Sequence, residues 1–131
     1  MSIDFMCFAE RYEKDHWICV GSGFFDSTHI WKRLVGGYVL PAILEERGLP
    51  ENISEDVLGW LSDAVSPYCK TWVSLEELLN YNYEQIETYH DYAVGKLVTS
   101  TQWEALGVRY AEDLKKLQEW GAERIIIWLE N

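Results

Sequence analysis

An α+β domain, with a small antiparallel sheet packed against helices, is expected from three features of this 131-residue chain. β-type runs stand at both ends, capped helical stretches fill the middle, and one long amphipathic helix precedes the last strand. The opening runs, 2–11 (SIDFMCFAER) and 16–20 (HWICV), flank a polar Glu13-Lys14-Asp15 turn and read as a hairpin. Ile3, Phe5 and Cys7 fall on one face of the first run, Met6 and Phe8 on the other. A strand apolar on both faces belongs inside a sheet.

Gly21-Ser22-Gly23 ends the hairpin, and Asp26 can cap a helix over 27–35 whose stripe is Ile30, Trp31, Leu34 and Val35. Gly36-Gly37 stops it, and residues 38–50 read as irregular, punctuated by Pro41 and the Gly48-Leu49-Pro50 turn. Ser54 caps a second helix, 55–64, with Val57, Leu58 and Leu61 inward, ended by Ser66-Pro67. Residues 68–73 (YCKTWV) form a short strand. Ser74 and Glu77 then make a capping box, the serine oxygen taking the third helical amide while Glu77 reaches back, and LEELLN follows as a short helix. After Thr99-Ser100, the stretch QWEALGVRYAEDLKKLQEWG repeats Trp103, Leu106, Tyr110, Leu114 and Leu117 at three- and four-residue steps. It reads as one long helix with Glu112 and Lys116 paired outside and Gly121 as its C-terminal cap. Gly107 is its weak point, costing about 1 kcal/mol against Ala. The closing run RIIIWLE reads as a central strand beside the N-terminal one. The whole of 1–131 reads as a single domain.

Composition narrows the function classes. Twenty-two acids against eleven bases give a net charge of −11, which repels phosphate backbones and anionic membranes, so direct nucleic-acid or membrane binding is not expected. Residues 48–95 hold nine of those acids (Glu51, Glu55, Asp56, Asp63, Glu76, Glu77, Glu84, Glu87, Asp91) and a single base, Lys70. No apolar run approaches the roughly 20 residues of a membrane helix, and MSIDFMCFAE lacks the basic flank of a secretory signal. Three cysteines without a CxxC spacing suit a reducing cytoplasm.

No catalytic or cofactor constellation emerges. His16, His29 and His90 are scattered and no HxxH, HExxH, CxxC or DxDxDG spacing occurs, so no metal site is expected. Cys7 and Cys19 face each other across the hairpin in this reading, without the neighbouring cation that makes a reactive thiolate. Glu55/Asp56 and Glu76/Glu77 are explained by helix N-termini. Gly21-Ser22-Gly23 lacks the Lys-Ser/Thr of a phosphate loop. His90-Asp91 is the one pairing that suggests hydrolysis. Trp31 with Lys32, Arg33 and Arg47 is the one supply of an aromatic and cations for a nucleotide. Trp17, Trp31, Trp60, Trp103, Trp120 and Trp128 fall on apolar faces and read as core.

The stretch 80–92 (NYNYEQIETYHDY) stands apart, with four tyrosines, three acids and no Lys or Arg. Tyrosine gives contact area at low entropic cost and keeps a polar tip, and acids beside it favour cationic partners. The expected partner surface is therefore Glu76, Glu77, Tyr81, Tyr83, Glu84, Glu87, the Thr88-Tyr89 pair, Asp91 and Tyr92. It would dock onto a basic protein surface, with carboxylates along 55–64 and 74–92 standing in for phosphates.

The chain also resembles a family of small uncharacterised proteins encoded by bacteriophages and prophages. The resemblance rests on the Cys-bearing opening hairpin, Arg47-Gly48-Leu49-Pro50, the segment Leu75-Glu76-Glu77-Leu78-Leu79-Asn80-Tyr81, and the ending Ile125-Ile126-Ile127-Trp128-Leu129-Glu130-Asn131. It implies a protein made in a bacterial host and acting on host machinery, such as a defence nuclease. It brings no residue roles with it.

Overall fold

The computed structural model describes residues 4–25, 27–35, 43–44, 46–91 and 93–130, apart from the side chains of Thr28, His29, Lys32 and Arg33. The chain runs β1 (Asp4–Glu13), β2 (His16–Ser22), α1 (Thr28–Val35), α2 (Glu55–Ser62), β3 (Tyr68–Ser74), α3 (Leu75–Asn80), β4 (Ile86–Asp91), β5 (Lys96–Thr101), α4 (Gln102–Leu106), α5 (Val108–Glu119) and β6 (Arg124–Glu130). Four strands form an antiparallel sheet in the order β2-β1-β6-β3, and β4-β5 form a separate two-stranded sheet.

The two strands that are apolar on both faces, β1 and β6, take the inner places. Alternation along β6 then divides the core. Ile125, Ile127 and Leu129 pack with Cys7, Ala9 and Val73 beneath α1, α3, α4 and α5. Ile126 and Trp128 pack with Phe8 beneath Val57 of α2. Helices therefore cover both faces of the sheet, α2 on one and the rest on the other. Burying each large apolar side chain of β6 stabilises the fold by about 1.5–3 kcal/mol.

The β1–β2 turn is the two-residue Lys14-Asp15, both at positive φ (52° and 71°), the handedness that matches twisted strands. Cys7 lies opposite Ile127 and Cys19 opposite Glu10, so the two thiols do not face each other. None of the three cysteines is in a disulfide.

The expected long C-terminal helix is two helices. Gly107 sits at φ 90°, ψ 173°, a region that side chains exclude; its amide closes α4 on the Trp103 carbonyl, and α5 starts anew. Thr101 and Glu104 form a second capping box that starts α4. Glu112 is not the partner of Lys116 either, since Lys116 Nζ lies 3.7 Å from Asp113 Oδ1. Asp113 is buried because its other oxygen accepts from the Phe25 amide at 2.9 Å.

A buried ion pair fixes the start of α2. Glu10 and Arg124 lie opposite each other on β1 and β6. Arg124 Nε donates to Glu10 Oε1 at 2.7 Å, and the Ser54 amide donates to Glu10 Oε2 at 2.6 Å. Arg124 also donates to the Asn52 side chain and carbonyl at 3.2 and 3.1 Å, with its Cζ 3.6 Å from the Trp17 ring centroid. Ser54 is the N-cap of α2, its hydroxyl accepting from the Val57 amide. The charge pair thus ties β1, β2 and β6 to the first turn of α2.

Candidate functional site

The acidic segment does not make one face. Val57 of α2 and Leu75/Leu78 of α3 pack on opposite sides of the sheet, so Glu55, Asp56 and Asp63 are separated from Glu76 and Glu77. Glu77 is also neutralised in part by Arg47 from another segment. The expected single phosphate-like surface across 55–64 and 74–92 is replaced by two separate regions.

Nor do the described tyrosines form an exposed patch. Tyr83 and Tyr89 are 3% and 6% exposed and belong to the core. The Tyr83 hydroxyl donates to the Leu78 carbonyl at 2.6 Å and is hydrogen-bonded to Tyr110; Tyr89 reaches Ser100 Oγ at 3.2 Å. Satisfied hydroxyls make their burial affordable in hydrogen-bond terms. Burial raises both hydroxyls: Tyr83 to about 12, although its hydrogen bond to Tyr110 pulls it down, and Tyr110 further, with the Tyr83 phenol adding to the rise. Tyr92 lies outside the described residues. Tyr81 is half-buried against Tyr83, with ring centroids 5.0 Å apart. Glu76 and Glu84 are exposed, and Thr88 pairs with Thr99 across the β4–β5 hairpin, a sheet that β-branched LVTST and the Gly95 turn encode. Asp91 ends β4 at the hairpin turn, Oδ1 accepting from the Ala93 amide at 2.9 Å, while Glu87 is half-buried on β4.

The first region is a ridge on α2. Trp60, expected in the core, is 58% exposed, and Leu58 is 50% exposed rather than inward. Asp56, Trp60 and Asp63 recur at four- and three-residue steps and share one face, with Glu55 beside them. Together with Gly59 they line a shallow depression of about 330 Å³. Glu55 and Asp56 also line a neighbouring cleft of about 180 Å³ with His16, Trp17, Ile18 and Cys19. The sequence holds no Lys or Arg between Arg47 and Lys70, so the ridge carries its negative charge undiluted.

The second region is a cleft of about 380 Å³ where β3 meets α3, lined by Leu44, Arg47, Trp72, Glu77, Asn80 and Tyr81 among others. The Arg47 segment runs along the outer edge of β3: the Arg47 amide donates to Thr71 Oγ1 at 3.0 Å and the Gly48 amide to the Lys70 carbonyl at 3.1 Å. The Arg47 guanidinium lies over Trp72, Cζ 5.1 Å from the ring centroid, and both its Nη atoms donate to Glu77. Glu77 completes the expected capping box with Ser74.

Hydrogen bonds from Arg47, aided by those from Ser74, hold the Glu77 carboxyl at about 2, against an ordinary 4.5. A folded-state value below the unfolded one stabilises the fold above about pH 4.5, and that contribution is lost as pH falls toward 2. Glu77→Gln, which retains a capping box, should therefore unfold in urea less readily relative to wild type at about pH 3 than at about pH 6. The expected gap at the higher pH is about 1 kcal/mol or less, because the pair is partly exposed and screened by water.

Other chemistry is disfavoured by placement. His90 and Asp91 are consecutive on β4 and point to opposite faces, so they cannot act as a dyad. Burial, then the nearby Asp56 and Glu10 charges, raise the Cys19 thiol, and burial with Glu46 raises Cys69, so both stay protonated at neutral pH. Among the described residues no three metal-ligating side chains gather. Trp31 is buried in the core, away from the solvent face a nucleotide base would need; the side chains of Lys32 and Arg33 lie outside the described residues. Among the described residues no helix is long and apolar enough to cross a membrane. No family model, curated protein or solved structure matches the chain.

Proposed function

We propose that the chain is a non-enzymatic binding protein that engages a basic protein surface through the α2 ridge. The observation that carries this reading is Trp60, solvent-exposed between Asp56 and Asp63 on a segment without a base. An indole offers its face to Lys or Arg, and flanking carboxylates pair with neighbouring cations and steer their approach. The ridge is held rigidly from below by the Glu10–Arg124 pair and the Ser54 cap, which lowers the cost of ordering it on binding.

The resemblance to phage-encoded proteins directs this reading to a nucleic-acid-binding or defence protein of a bacterial host, whose phosphate-binding surface supplies the cations. Carboxylates on α2 take the part of phosphates, and the protein acts as an inhibitor by occupation. Three cysteines without a disulfide accord with work in the cytoplasm.

Binding of a lysine- and arginine-rich peptide, measured by calorimetry, tests the reading. Trp60→Ala should weaken it about 5- to 30-fold, the 1–2 kcal/mol of an exposed aromatic anchor. The same variant should change folding stability by about 1 kcal/mol or less, since most of the side chain is in water. Unchanged peptide affinity in Trp60→Ala would remove the ridge as the binding surface.

A further inference from the structure

The cleft at β3 and α3 already holds an arginine. Arg47 lies over Trp72, its Cζ 5.1 Å from the ring centroid, while both Nη atoms donate to Glu77. A planar fork on a carboxylate with an aromatic beneath it is how proteins recognise a guanidinium presented from outside. The seat is also exposed to exchange. Arg47 and Glu77 keep 32% and 44% of their side-chain surface in water, and about 380 Å³ of open cleft remains beside them.

That remaining space is suited to a ligand. Asn80 contributes a carboxamide, Tyr81 a second aromatic, and Leu44, Val73 and Leu78 apolar walls. Glu77 does not depend on Arg47 for its position: its Oε1 accepts from the Ser74 amide at 3.1 Å and its own amide donates to Ser74 Oγ at 3.0 Å. The carboxylate therefore stays aimed into the cleft when Arg47 swings out.

We infer that this cleft is a guanidinium-binding site, filled in the free protein by the chain's own Arg47 and taken over by an arginine side chain of a partner. The inference uses other residues than the ridge and stands whether or not the ridge binds anything. A tethered arginine competes at an effective concentration of millimolar order, so the intact protein binds an incoming arginine weakly and removal of Arg47 unmasks the site. The arrangement gives selectivity for arginine over lysine, because an ammonium cannot make the two parallel bonds to Glu77.

The test is calorimetric titration of wild type, Arg47→Ala and Arg47→Ala/Glu77→Gln with N-acetyl-arginine amide, and with the lysine analogue as control. Arg47→Ala should bind the arginine probe about 10-fold or more tighter than wild type. Glu77→Gln in that background should abolish the gain while leaving α3 capped, and the lysine probe should show little of it. Arg47→Ala binding no tighter than wild type, or binding indifferent to Glu77, would overturn the assignment. Should Arg47→Ala fail to fold, the Trp72 indole resonance of wild type decides: a saturable shift with the arginine probe that Glu77→Gln eliminates supports the site, and its absence refutes it.

Discussion

Glu10→Gln is expected to destabilise the protein by about 3–5 kcal/mol, the cost of leaving a buried charge without its counter-ion. Glu10 is fully buried and Arg124 is 6% exposed, so water cannot take the carboxylate's place. The amide that replaces it turns one end into a donor, facing either the Arg124 Nε or the Ser54 amide, both of which are donors already. In a chain of this size the loss amounts to a fall in Tm of roughly 10–20 °C. The damage should be greatest at the first turn of α2, because Ser54 is both a partner of Glu10 and the cap of that helix. Amide exchange in 54–58 should therefore accelerate more than in α5. Replacing both partners, as Glu10→Gln/Arg124→Met, should cost less than the sum of the single changes, since no unpaired charge is left inside. Strict additivity in that cycle, or a loss under about 1 kcal/mol for Glu10→Gln, would mean the pair does not hold the sheet to α2.

Trp128→Ala should cost a comparable 3–5 kcal/mol for a different reason, the cavity left by the largest fully buried side chain in its cluster. Trp128 is fully buried, stacks on Phe8 with centroids 5.1 Å apart and an interplanar angle of 25°, and donates from Nε1 to Glu130 at 3.1 Å. Trp128→Phe, which keeps most of the volume, should recover much of the loss. Denaturant unfolding of the two variants beside Trp60→Ala makes the contrast plain, for the two tryptophans bracket the same layer from inside and from outside.

Much of the architecture is written in the chain. Runs apolar on both faces put β1 and β6 at the centre of the sheet, and Ser54, Ser74 and Glu77 announce their helices through side chains that need only local partners. The TQWE box at Thr101 was equally readable and marks α4, but the strong periodicity running through Gly107 masks the break. Amphipathic spacing reports which residues share a stripe; it does not report a φ of 90°. The tyrosines misled for a related reason. Whether a hydroxyl faces water or a carbonyl depends on partners such as Tyr110 and Ser100, which only the fold brings near. Trp60 misled in the opposite sense: an eight-residue helix touching the sheet mainly through Val57 and Leu61 leaves Leu58 largely outside and Trp60 reaching back only to Phe8, ring centroids 6.1 Å apart. Glu10 finds Arg124 across 114 residues, a pairing no local pattern encodes.

Salt dependence of basic-peptide binding tests the central claim most directly. With wild type, the logarithm of the association constant should fall steadily as the logarithm of salt concentration rises. Asp56→Asn/Asp63→Asn should flatten that slope, whereas Trp60→Ala should lower affinity at every salt concentration and leave the slope nearly as it was. An association constant that holds level from low to high ionic strength, or a slope that survives loss of the two aspartates, would contradict recognition of cations by the α2 carboxylates.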